Sequence, residues 1–302
     1  MDYYIGIDGG GTKTIAFLSN DLGEVVGKFT GGAVNYHSEG KDNVLFVFKE
    51  MFQFFHERFL LSKNDIKRIC LGCAAVNTKE DERVIRSLFS KLKYENELLI
   101  YNDSYIALVA GNGTAKGAVL ISGTGSIAYG IALDGNQIRV GGWGHLIDDE
   151  GSGYAIAREG LKKVMEGYDG RSESTKIYDK VKEKLGINGH RELISFIYSS
   201  KTKKQDIAAL APCVLDLYGK DNVADAIINK AVNDLCYMVE VLSKRMELKT
   251  FSLCLSGSVL LKSNVMRRLL EEKIAVVLPM VTTHLPYKEP VLGALMLALN
   301  SR

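Results

Sequence analysis

The stretch "YIGIDGGGTKT", residues 4 to 14, ends an apolar strand on Asp8 and follows it with three glycines, Thr12 and Lys13. Residues without a Cβ let backbone amides approach an anion closely, and consecutive amides can form a positive concavity. Thr12 adds a hydroxyl and Lys13 a charge. Asp8 stands where a carboxylate can hold magnesium directly or through water; a turn-forming aspartate is the plainer reading. A second turn of small residues, "SGTGS" at 122–126, follows another apolar strand. A third element, "LSGSVLLKSN", runs from strand through a Gly257–Ser258 turn into a helix and suits the adenosine end of a nucleotide.

The Walker loop and the dinucleotide fingerprint both require the glycine turn to open a helix. Here "IAFLS" follows, a β-rich strand, so phosphates would be gripped inside a hairpin turn. A tight turn that only reverses the chain accounts equally well for one such loop. Three elements in this order point to a polyphosphate.

The elements that must carry these residues are legible in outline. The opening alternates strand and turn three times as an antiparallel meander, with Gly, Asp and Asn at the turns. A helix is expected over 43–61, with Phe46, Phe52, Phe55 and Phe59 in its apolar stripe. "KRICLGCAAV" reads as a buried strand and "KEDERVIRSLFSKL" as an amphipathic helix. "ELLIYND" then delivers Asp103 to a strand's C-terminal end. From the residues alone Asp103 could be the N-cap of the helix that follows or a carboxylate presented to a reaction. The opening pattern recurs about 110 residues later in "GAVLISGTGS", "IAYGIAL" and "QIRVGG", which suggests a duplicated plan. The chain from Tyr154 to Val276 is mostly helical, broken by the strand "FSLCLSG", and "SVLLKSNVMRRLLEEK" reads as one helix. Pro279, Pro286 and Pro290 cluster in a connector to a docked terminal helix.

Composition bounds the partners. A length of 302 residues with 46% apolar content supports two domains and a sizeable core. A net charge of +2 with interspersed signs argues against a nucleic-acid or membrane-surface partner and favours a charged small molecule. Five cysteines, an odd count in apolar segments with no leader before Asp2, imply a reducing, cytoplasmic setting. Cys70 and Cys73 form a C-x-x-C, but without a second pair they read as core packing. The longest apolar runs are about half the ~20 residues needed to span a bilayer.

The trio "IGIDGGGTKT", "VLISGTGS" and "LSGS" resembles the two phosphate elements and the adenosine element of the actin, sugar-kinase and heat-shock-chaperone ATPase superfamily. Within it, "GGWGHLIDDEGSGYAIA", "NDS" at 102–104 and "EPVLGALMLAL" are similar to the N-acetylglucosamine kinases of the BadF/BadG/BcrA/BcrD ATPase family. The resemblance runs from Tyr4 to Leu299; 165–205 carries no motif. It implies an α/β fold of two ribonuclease H-like (actin-like ATPase) domains facing an interdomain cleft. Residues 1–113 with a terminal helix at 290–302 would form the first, and 114–289, with a helical insertion, the second.

The resemblance implies an ATP- and magnesium-dependent kinase that phosphorylates the 6-hydroxyl of an amino sugar, with Asp8 at the metal and Asp103 as catalytic base. Asn35, Asp103, Gly142, Trp143, Asp149 and Gly153 would hold the sugar. Gly10, Gly11, Thr12, Lys13, Thr124 and Gly125 would meet the phosphates, and Ala208, Gly257, Ser258 and Lys262 the adenosine. The turn after Gly257 is one residue longer than in some relatives, so Ser263 competes with Lys262 for its place. Trp143 could instead be core. His145 is expected to support its loop through a hydrogen-bonded ring nitrogen, and the acids 148–150 to precede a helix as dipole partners. A homodimer is compatible with this picture. Two alternatives keep the fold: an ATPase that activates a partner enzyme through an iron–sulfur cluster, and a non-catalytic sugar sensor. The absence of cysteine between Gly123 and Ile156 argues against the first, and an intact Asp8 and Asp103 against the second.

Overall fold

The computed structural model describes residues 2–300. The chain divides into two compact units, one holding the residues up to Lys116 together with those from Pro286 on, the other spanning Gly117–Leu285. These boundaries lie a few residues from 113 and 290. The Tyr287 N–H donates to the Gly111 carbonyl at 3.2 Å, which holds the connector on the first unit.

In the first unit, β1 (Tyr3–Gly9), β2 (Thr14–Asn20) and β3 (Val25–Gly31) form the meander, followed by α1 (Tyr36–Glu39) and α2 (Lys41–Phe59). Then come β4 (Ile66–Cys73), α3 (Lys79–Lys91), β5 (Glu97–Tyr101) and α4 (Asp103–Asn112). The sheet order is β3-β2-β1-β4-β5, antiparallel across the meander and parallel from β1 through β5. α2 buries Val44, Val47, Phe48, Met51, Phe52 and Phe55, the i, i+3, i+4, i+7 stripe of an amphipathic helix. Phe46 was expected in that stripe but falls off its arc and is 59% exposed, while Phe48 takes the core position. Cys70 and Cys73 are buried and free within β4, and burial pushes the Cys73 thiol up to about 12.

The second unit repeats the plan. β6 (Gly117–Ser122), β7 (Ser126–Ile131) and β8 (Gln137–Gly141) form its meander. Six helices follow: α5 (Gly153–Tyr168), α6 (Ile177–Leu185), α7 (His190–Ile197), α8 (Lys204–Ala208), α9 (Ala211–Leu215) and α10 (Asn222–Met246). β9 (Phe251–Ser256), α11 (Ser258–Lys262), α12 (Asn264–Val277) and β10 (Val281–His284) complete the unit. The order β10-β9-β6-β7-β8 mirrors the first sheet, with β9 parallel to β6 and β10 parallel to β9. β10 lies in what reads from the sequence as a proline connector. The expected single helix after Gly257 is two, because Ser263 leaves the helical region and its side chain accepts from Met266 N–H as the cap of α12.

α13 (Pro290–Asn300) returns to the first unit. It packs flush because Gly6 and Gly293 present no side chain: a Cβ on Gly6 would run into the Leu295 backbone, and one on Gly293 into the Ile106 carbonyl of α4. Among the described residues no helix is long and apolar enough to cross a membrane.

Candidate active site

In the first unit, Asp8 sits near the end of β1, and the pairing of Gly9 with Thr14 closes the hairpin around Gly10–Lys13. Gly10 N–H donates to the Lys13 carbonyl at 3.0 Å. Gly11, Thr12 and Lys13 are exposed, and a Cβ on Gly11 would meet nothing within 4 Å, so the tip of the turn is open. Burial pushes the Asp8 carboxyl up to about 6, with Asp103 and Glu289 adding to the rise and Lys13 opposing it. Asp103 opens α4, but the cap is Asn102, whose side-chain oxygen accepts from Ser104 N–H at 3.0 Å. The capping need that could have explained Asp103 is therefore met by its neighbour. Burial raises the Asp103 carboxyl, and hydrogen bonds from Ser104 offset part of that rise.

This donor set suits magnesium. Asp8 offers hard carboxylate oxygens, and among the described residues no group of three or more His, Cys, Asp or Glu could enclose a metal. Magnesium is ordinarily held by one or two carboxylates, with waters and substrate phosphates completing its shell.

Asn35 caps α1, its side-chain oxygen accepting from His37 N–H at 3.1 Å. That short helix is tied down by Asp81 on α3, which accepts from the Tyr36 hydroxyl and lies 3.1 Å from His37 Nε2. The second Asp81 oxygen takes the Asn77 N–H, the Thr78 N–H and the Thr78 hydroxyl at 3.0, 2.8 and 2.8 Å. Burial pushes this carboxyl up, but the hydrogen bonds outweigh it and hold it at about 2. The T-x-x-D spacing at 78–81 is a legible capping signal; its link to the Asn35 loop is not legible.

In the second unit the turn 122–126 is stitched to the loop that precedes α5. Ser122 and Ser126 hydroxyls donate to the Gly151 and Glu150 carbonyls, each at 2.7 Å, and Gly153 N–H donates to Gly123 O at 2.8 Å. Thr124 remains exposed. Asp149 is only 3% exposed, with a left-handed φ of 72°. Its Oδ1 accepts from Ser126 N–H at 3.3 Å and its Oδ2 from Lys204 Nζ at 2.6 Å.

The acids 148–150 were expected to precede a helix as dipole partners; they lie ahead of α5, outside its first turn. Ser152 caps α5 by accepting from Ala155 N–H at 3.1 Å, and Asp148 instead accepts from Trp143 N–H at 2.9 Å. Trp143 is 67% exposed, which rules out the core reading; the Arg139 guanidinium lies 3.7 Å from its ring centroid. Gly141 and Gly142, both at φ 75°, let the loop turn so that the indole stands outward. His145 packs edge-on to Tyr154 at 4.8 Å, where a hydrogen-bonded ring nitrogen was expected, and burial together with nearby Lys204 lowers its pKa.

A cavity of about 670 Å³ is lined by Gly123, Thr124, Gly153, Ala208, Ser258 and Lys262 among others. It gathers Thr124 with Ala208, Ser258 and Lys262 of the expected nucleotide residues, takes in Gly153, which was expected at the sugar, and is lined by neither Gly257 nor Gly125; its size is usual for a small-molecule site. Ser263 lines it beside Lys262. Gly257 has a φ of 90°, and a Cβ there would run into the Ser122 backbone, so the turn after β9 lies directly against the end of β6. The sequence reading missed Asn102, Asp81, Arg139 and Lys204. The first two carry capping signatures; the last two act through contacts that sequence spacing does not reveal.

The chain is 36% identical to the N-acetylmuramic acid/N-acetylglucosamine kinase of Clostridium acetobutylicum over 86% of each sequence. It is 31% identical to the N-acetyl-D-glucosamine kinase of Dictyostelium discoideum over 100% of this chain and 99% of that one. A solved structure from Chromobacterium violaceum superposes with a TM-score of 0.77 at 22% identity, covering 99% of each chain, and shares the two-domain α/β ATPase fold. Residues 5–298 match the BadF/BadG/BcrA/BcrD ATPase family, and the chain belongs to that family.

Proposed function

We infer that the protein is an ATP-dependent amino-sugar kinase, which transfers the γ-phosphoryl group of ATP to the 6-hydroxyl of N-acetylglucosamine or a close relative. The observation that carries the reading is Asp103: a half-buried carboxylate at the start of α4, spared from capping by Asn102 and electrostatically coupled to Asp8. In the proposed step this carboxylate accepts the 6-hydroxyl proton. The bond from sugar O6 to Pγ forms as the bond from Pγ to the β-bridging oxygen breaks, releasing ADP.

Phosphates are proposed to meet the amides of Gly10, Gly11 and Gly125, the hydroxyls of Thr12 and Thr124, and the charge of Lys13. The adenosine is proposed to occupy the cavity at Ala208, Ser258 and Lys262, with Gly257 shaping the turn that precedes Ser258. The sugar is proposed to sit against Asn35, Gly142, Asp149 and Gly153, donating a hydroxyl to the Asp149 carboxylate, with the outward Trp143 ring as its apolar wall. Asp8 would hold magnesium together with phosphate and water oxygens; the ion, when bound, neutralises charge on the β- and γ-phosphates.

A coupled ADP-release assay tests the reading. Sugar-stimulated release is expected. Sugar-independent hydrolysis would point instead to a partner-activating ATPase, and sugar binding without turnover to a sensor. The two curated relatives are named for N-acetylmuramic acid and N-acetylglucosamine. A panel of those two sugars with glucosamine and N-acetylmannosamine identifies the acceptor, because a few pocket side chains decide among them.

A further inference from the structure

We propose that Lys204 is a positioning residue for phosphoryl transfer: its ammonium fixes the Asp149 carboxylate in the orientation the amino sugar uses. The proposal rests on the kinase reading above.

Three observations converge on it. Asp149 is held at a φ of 72°, which residues with a Cβ seldom adopt and which persists only where the surroundings over-determine it. Its carboxylate lies close against the turn: a Cβ on Gly125 would lie 3.0 Å from both of its oxygens, a tight contact that would push the carboxylate by a few tenths of an ångström. Its burial removes a charge from water, and Lys204 Nζ at 2.6 Å supplies the counter-charge from 55 residues away in the chain. Most other ion pairs of the described residues lie within one helix at i, i+3 or i, i+4, whereas this one joins two separate elements.

The geometry leaves the carboxylate usable. A carboxylate has about four lone-pair sites. Ser126 N–H takes one on Oδ1 and Lys204 one on Oδ2, so each oxygen keeps an unfilled lone pair although the side chain is only 4% exposed. Lys204 opens α8, and Ala208 at the other end of that helix lines the adenosine cavity. One short helix therefore carries both the clamp on Asp149 and a wall of the nucleotide site.

The test compares wild type with Lys204→Met, Lys204→Gln and Lys204→Arg in the full chain, reading KM for sugar, the Kd for a non-hydrolysable ATP analogue and the melting temperature. In the Met and Gln variants the sugar KM is expected to rise on the order of 100-fold, as misplacing a substrate-orienting group does. Analogue binding should change by no more than about threefold, because the loss falls on sugar positioning alone. Lys204→Arg should recover most of the sugar affinity, since a guanidinium also pairs with a carboxylate. An unchanged sugar KM in both neutral variants overturns the proposal. So does equal loss of sugar and nucleotide binding, or failure of both neutral variants to fold, which would make the pair a structural clamp. Absence of sugar-dependent turnover in wild type sinks the kinase reading itself, and the proposal with it.

Discussion

The two glycine hairpins occupy equivalent places in equivalent sheets, yet they are built differently. The first, Gly10–Lys13, closes on one backbone hydrogen bond between its own residues, stands exposed at its tip, and has two mutually unfavourable carboxylates nearby. The second, Ser122–Ser126, is fastened from below by two serine hydroxyls and by Asp149, and opens beside the cavity of the second unit. One strand order thus supports two jobs. Titratable chemistry is concentrated in the first unit, while the second holds its carboxylate fully compensated and devotes its turn to shape.

The sharpest attack on that comparison is Asp103→Asn. It should fold and bind nucleotide normally, because the amide removes a charge that burial already disfavours, and lower kcat by about 10²–10⁴-fold. Turnover near the wild-type level, measured by ADP release, would remove the first unit's claim to the chemistry. Asp8→Asn should cost roughly 10–100-fold in activity, with partial recovery at raised magnesium. A variant whose magnesium dependence is unmoved would take Asp8 out of the metal shell.

The second unit is probed through shape. Gly257→Ala places a Cβ against the Ser122 backbone at a φ of 90°. A strain of about 1–3 kcal/mol should raise the nucleotide Kd by about tenfold while leaving the first unit's carboxylates untouched. Calorimetric titration with an ATP analogue reads this directly.

A further effect concerns stability. Asp81 has a folded-state pKa of about 2 against an ordinary 3.8, so its hydrogen bonds stabilise the fold above the ordinary value, and that contribution is lost as pH falls through about 2. Asp81→Asn should therefore cost about 2 kcal/mol near neutrality and flatten the acid limb of a stability-versus-pH curve. An unchanged limb would show that the Tyr36–Asp81 tie does not anchor the Asn35 loop.

Much of the fold was legible because it depends on short-range pattern. Both meanders, the strand that delivers Asp103, and the amphipathic helices follow from alternation and helical periodicity. What misled was local ambiguity. Phe46 shares its helix with six buried apolar partners and misses the core by phase alone. Ser263 interrupts an otherwise continuous helical run because its hydroxyl offers the next helix a cap. β10 is four residues long and is a strand only because β9 lies ready to pair with it.

The sequence by itself determined which residue types stand at the turns, that the plan occurs twice, and which carboxylates were candidates, since these depend on neighbours a few positions apart. Tertiary structure alone decided which carboxylates are desolvated, that Asn102 relieves Asp103 of capping, and that Lys204 reaches Asp149. Burial and long-range charge pairing depend on what the folded chain brings into contact, and no spacing along the sequence encodes that distance.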